Sequence, residues 1–123
     1  MFRLSVLFVF LSAVPALAEF NYSQFQKYET QSPQFSSAAL RGYLQGIYWA
    51  NFMLSEQTGV QLYCQPTHLT VNIENLRGGM RLHVENDPEL ETAPLGKVVL
   101  AGLQLLFPLE PVCKSRPYRE GFK

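Results

Sequence analysis

Chemistry in this chain would have to start from two cysteines, Cys64 and Cys113, two histidines, His68 and His83, and the acidic alternation Glu85, Asp87, Glu89, Glu91. A thiolate beside an imidazole makes a nucleophile, and clustered cysteine and histidine hold zinc. Neither histidine stands at a metal-ligand spacing: His68 lies near a helix start, and His83 lies among charged neighbours on a helical stretch. The sequence contains no Gly-rich phosphate loop, nucleophile elbow or catalytic carboxylate pair, and Asp87 with Glu89 reads as loop polarity. These residues point to a binding protein rather than an enzyme. No catalytic residue, metal ligand or cofactor is assigned.

The compartment decides what the cysteines do. Residues 1–18 carry Arg3, then the apolar run Leu4–Leu11, then Pro15-Ala16-Leu17-Ala18, which ends in the small-x-small pattern of a cleaved signal peptide. The run is shorter than the roughly 20 residues of a spanning helix, so no membrane span is expected after cleavage behind Ala18. Both cysteines follow that point. In an oxidising compartment such a pair is most simply a disulfide, and closing a loop of about 50 residues stabilises by roughly 4 kcal/mol in the chain-entropy model. A reactive or metal-binding thiol is the sharper alternative. The chain's formal net charge is zero, with no basic surplus to attract nucleic acid or anionic membrane.

The elements that must position these residues read as helices. From Ser36 to Gln57, Leu40, Tyr43, Leu44, Ile47, Ala50 and Leu54 recur at steps of three and four, with Ser36 or Ser37 as cap and Gly59 as a left-handed stop. Gly42, Gly46 and Ala50 fall four apart; two mid-helix glycines, each costing about 1 kcal/mol against Ala, predict a second backbone close by. Tyr48 and Trp49, if exposed, are interface candidates. Ahead of this helix, Tyr22, Phe25 and Tyr28 fit either a short amphipathic helix or a flexible leader. Asn21-Tyr22-Ser23 matches a glycosylation acceptor, which has meaning only in a eukaryotic secretory route.

A second helix is expected from a Thr70 cap, with Ile73, Leu76, Met80 and Val84 inward and Glu74, Arg77, Arg81 and Glu85 solvated. Its Gly78-Gly79 pair predicts close packing or a kink. Asn86–Ala93 reads as a loop between prolines and is the most acidic stretch. Pro94 opens a third helix, Leu95–Phe107, apolar nearly all round and so either buried or shared with another subunit. The expectation is an all-α, single-domain bundle of about four helices stapled by one disulfide. It comprises a signal peptide at 1–18, a helical domain at 19–113 and a basic tail at 114–123.

Taken together, Arg41-Gly42-Tyr43-Leu44-Gln45-Gly46-Ile47, Leu62-Tyr63-Cys64-Gln65-Pro66, Asp87-Pro88, Ala93-Pro94 and Ala101-Gly102-Leu103-Gln104-Leu105-Leu106-Phe107-Pro108 with a final cysteine resemble the Rap/Tai immunity proteins of bacterial type VI secretion. The likeness spans roughly residues 38–113. It departs at Leu109–Val112, which separate Phe107-Pro108 from the cysteine that commonly follows directly, and in lacking an N-terminal cysteine.

The resemblance implies an exported, all-helical periplasmic protein that neutralises a peptidoglycan amidase toxin by occluding its active site. Cys64 and Cys113 would be its structural bridge, and Asp87, Glu89, Leu90 and Glu91 its contacts with the cognate amidase. A homodimer is a further expectation, raised by the apolar third helix and by relatives that pair. The competing reading is a periplasmic helical carrier or stress-protective module that binds a small apolar ligand.

Overall fold

A computed structural model describes residues 20–64 and 71–109. The signal peptide at 1–18, His68, the Thr70 cap, Cys113 and the tail at 114–123 lie outside the described residues. Among the described residues the order is α1 (Tyr22–Gln31), α2 (Pro33–Thr58), α3 (Ile73–Asn86), a 3-10 turn (Pro88–Thr92) and α4 (Leu95–Leu106), an all-α architecture. Its one extended pairing among these residues is an isolated antiparallel bridge between Asn21 and Pro94. No helix among the described residues is long and apolar enough to cross a membrane.

The amphipathic alternative for the N-terminal stretch is the one that forms. Asn21 and Gln24 make a reciprocal capping box: the Gln24 N–H donates to Asn21 Oδ1 at 2.8 Å and the Asn21 N–H donates to Gln24 Oε1 at 3.0 Å. Tyr22 and Phe25 are buried below this cap. Helix α2 begins earlier than expected, with Pro33 in its first turn and Ser32 as cap. Ser36, expected to cap it, is instead buried, and its hydroxyl donates to the Pro33 carbonyl. Gly59 ends the helix with φ 73°, the left-handed conformation that glycine adopts without strain.

Beyond Gly59 the chain is held by a buried amide. Asn51 Nδ2 donates to the Tyr63 carbonyl at 3.1 Å, and Asn51 Oδ1 accepts from the Leu62 N–H at 2.6 Å. From the other side Gln104 Nε2 donates to the Leu62 carbonyl, and the Cys64 N–H donates to the Phe107 carbonyl. Residues 62–64 are thereby fixed between α2 and the end of α4, with Tyr63 fully buried.

Helices α3 and α4 form the core pair. Asn72 caps α3, its Oδ1 accepting from the Glu74 N–H. Leu76 and Met80 of α3 pack with Leu95, Val98, Val99 and Leu103 of α4, all fully buried. The apolar character of α4 is thus largely absorbed within one chain. Of the Gly78-Gly79 pair only Gly79 is a close approach: a Cβ there would meet the Gly102 carbonyl oxygen at 3.1 Å. A Cβ on Gly102 would stand 2.9 Å from Met80 Cγ and 3.1 Å from Met80 N. The helix runs through the pair unbroken.

Two expectations are corrected. Arg77 is not simply on the solvated face: half-buried, it donates from Nε to Glu29 at 2.7 Å, from Nη2 to Ser37 at 2.9 Å, and from Nη1 to Glu74. The helix period placed it correctly on α3, but α1 and the start of α2 cover that edge. A Cβ at Gly42 or Gly46 would meet nothing within 4 Å and both lie exposed, so no backbone among the described residues approaches them.

The glycines give a paired test in chemical denaturation. Gly102→Ala is expected to destabilise by about 2 kcal/mol, because its methyl strikes α3 backbone. Gly78→Ala, in open space, is expected to stabilise by roughly 0.5–1 kcal/mol.

Candidate functional site: an acidic corner between α3 and α4

The expected loop at Asn86–Ala93 is an ordered corner. Helix α3 ends as the Asp87 N–H donates to the His83 carbonyl, and Pro88, which cannot continue the helical ladder, starts the 3-10 turn. Within the turn the Leu90 N–H donates to the Asp87 carbonyl and the Ala93 N–H to the Leu90 carbonyl, each at 3.1 Å. Leu90 points inward and is 5 % exposed. It joins the core: one apolar side chain among acids is drawn out of water and takes the backbone with it.

The corner is also braced from the other end of the described chain. The Tyr22 N–H donates to the Ala93 carbonyl at 3.2 Å, and the Leu95 N–H donates to the Phe20 carbonyl at 2.8 Å. Residues 20–22 therefore fasten the junction between the 3-10 turn and α4. This brace was not anticipated, although the Asn-x-x-Gln capping box that orients it is readable in the sequence.

Asp87, Glu89 and Glu91 all remain exposed on this anchored turn. Among the described residues the ion pairs are Arg77 with Glu29 and Glu74, and Arg81 with Glu85; the three corner carboxylates take part in none. Among the described residues the arrangement is an ordered acidic turn whose carboxylates make no ion pair. It can attract and orient a cationic surface, and its backbone is already ordered, so docking costs little conformational entropy.

The other expected residues are less concentrated. Cys64 is half-buried beside the end of α4, and no cysteine among the described residues is free. His83 is half-buried in the last turn of α3. No three His, Cys, Asp or Glu side chains among the described residues come together as a metal site. An open groove of about 560 Å³ lies between α2 and the start of α3, bordered by Arg41, Asn72, Glu74 and Arg77. Its lining mixes polar with apolar surface, the latter from Val71 and Ile73, and Arg77 is already engaged there by Glu29, Glu74 and Ser37.

No family model matches this chain, and neither a curated protein nor a solved structure matches it.

Two measurements probe the anchoring. Leu90→Ala is expected to cost about 2–3 kcal/mol in urea denaturation. Alanine at Glu89 or Glu91 is expected to shift stability by less than about 0.5 kcal/mol. Burial, helped by the nearby charge of Glu29, pushes the Tyr22 phenol above its ordinary value of 10.0. The unfolded chain therefore releases this proton first, and the stabilisation is full below about pH 10 and lost as pH rises through the higher folded value. Tyr22→Phe is expected to flatten that alkaline limb of the stability curve.

Proposed function

We propose that this chain is an exported, periplasmic binding protein of the immunity type, which neutralises a peptidoglycan amidase of type VI secretion by covering its active-site cleft. The reading rests on the resemblance of residues 38–113 to the Rap/Tai proteins and on one structural observation. The acidic turn is held at its base by Leu90 and by the Asn21–Pro94 bridge, and it leaves Asp87, Glu89 and Glu91 exposed and outside the ion pairs among the described residues. A cleft-blocking element needs such rigidity, because a floppy loop would lose on ordering what it gains in contact. Asp87, Glu89 and Glu91 are the contacts and Leu90 is their anchor.

The Cys64–Cys113 bridge belongs to the same proposal. Cys64 is not a free thiol, and its N–H is tied to Phe107, six positions before Cys113 in sequence. A bridge there would lock the chain leaving α4 onto the segment clamped by Asn51. Thiol counting on unreduced protein is expected to find none.

The function is tested by capture from an oxidising periplasmic extract that contains the product of the neighbouring gene. A tight complex with an amidase, weakened at least about tenfold by Glu89→Lys with Glu91→Lys, is the expected result. An amidase that binds the charge-reversed protein unchanged would remove the corner from the mechanism. Failure of the folded, oxidised protein to hold any amidase would remove the immunity reading itself.

A further inference from the structure

The groove between α2 and the start of α3 is lined by hydrogen-bond donors that the fold leaves unspent. Ser37 and Arg41 stand four apart on α2 and so share one of its faces, and Val71, Asn72 and Ile73 border the groove from the α3 side. Arg41 is exposed and enters none of the ion pairs among the described residues. Ser37 Oγ accepts from Arg77 Nη2 at 2.9 Å, which leaves its own O–H to donate elsewhere. Asn72 Oδ1 accepts from the Glu74 N–H at 2.8 Å as the cap of α3, which fixes the amide and leaves Nδ2 as a donor.

The charges narrow the occupant. Glu29 and Glu74 together take up the charge of Arg77, so Arg41 is the cation left for a ligand. One free guanidinium suits one carboxylate, which an arginine fork grips through two parallel bonds. The Ser37 hydroxyl and Asn72 Nδ2 then call for neutral acceptors nearby, which the carbonyls of a peptide backbone supply and a simple aliphatic acid lacks. Val71 and Ile73, both half-buried, add an apolar wall for one aliphatic side chain. The volume of about 560 Å³ falls among small-ligand sites, roughly 300–1,000 Å³, and the open form of the groove admits a chain end.

We propose that this groove binds the free carboxyl end of a peptide whose last residue is branched and aliphatic. Arg41 holds the terminal carboxylate, Ser37 and Asn72 donate to the carbonyls before it, and Val71 with Ile73 seats the last side chain. Arg77 is a positioning residue, since it fixes the Ser37 oxygen and draws Glu74 away from the incoming anion. The site uses none of the acidic-corner residues and does not depend on the amidase reading.

Isothermal titration of the full, oxidised chain with the acetylated tripeptide alanyl-alanyl-valine, taken to about 1 mM, tests it; saturable binding is expected. Converting the peptide's carboxylate to a carboxamide should weaken binding at least about tenfold, and so should Arg41→Ala. Arg41→Lys keeps the charge but not the fork, and should weaken it roughly threefold. Asn72→Asp separates binding from folding: aspartate still caps α3, so the melting temperature should hold, yet an anion replaces the Nδ2 donor and binding should fall at least about tenfold.

Absence of binding throughout this range overturns the proposal. So does equal affinity for the carboxamide, or binding indifferent to Arg41→Ala and Asn72→Asp. Isovalerate, a branched aliphatic acid without a peptide backbone, should bind at least about tenfold more weakly than the tripeptide; equal affinity would overturn the peptide assignment.

Discussion

The close approach of Gly79 and Gly102 is the constraint from which the rest of the molecule takes its geometry. With either position carrying a side chain, α3 and α4 would stand further apart, and Leu76, Met80, Val98 and Leu103 would lose their mutual contact. Burying such side chains stabilises by about 1.5–3 kcal/mol each, far more than the glycines cost in helix propensity. The tight crossing also dictates how sharply the chain must turn between the two helices. A five-residue 3-10 turn satisfies that demand, and the acidic residues fall on its outer side because Leu90 takes the inner one.

Polar groups then fix how α1 and α2 join this pair. Arg77 reaches α1 through Glu29 and α2 through Ser37, while Asn51 reads both the donor and the acceptor of the Leu62–Tyr63 backbone. Apolar packing alone would tolerate a slide of one helix along another; these directional contacts do not. Removing one partner would leave a buried donor or acceptor unsatisfied, which costs more than the bond itself contributes.

Much of the architecture was legible in the residues, for chemical reasons. Gly59 marked the end of α2 because only a left-handed residue closes that cap, and Pro94 marked the start of α4. The start of α2 lies ahead of the expected Ser36 or Ser37 cap because Pro33 is well suited to a first helical turn, with Ser32 as the cap residue. The Asn86–Ala93 composition foretold a loop, but not the ordered 3-10 turn within it, nor that Leu90 anchors it or that residues 20–22 brace it. Such pairings join stretches far apart in sequence, which local pattern does not encode. The period placed Arg77 on α3 correctly and missed its burial for the same reason. Glycine spacing pointed to close backbone contact at two places, yet among the described residues it holds at Gly79 and not at Gly42 or Gly46, since glycine marks where a backbone can approach and not whether one does.

The bridge from Asn21 to Pro94 has a consequence for the order of assembly. The α3–α4 hairpin can form from contacts local in sequence, whereas the bridge joins the first described residues to the start of the last helix, and such closure is entropically slow. Helix α1, at ten residues, is too short to persist on its own in water. The acidic turn therefore gains its final rigidity late, when α1 docks, and the emerging chain carries a loose corner until its own beginning has come back to close it.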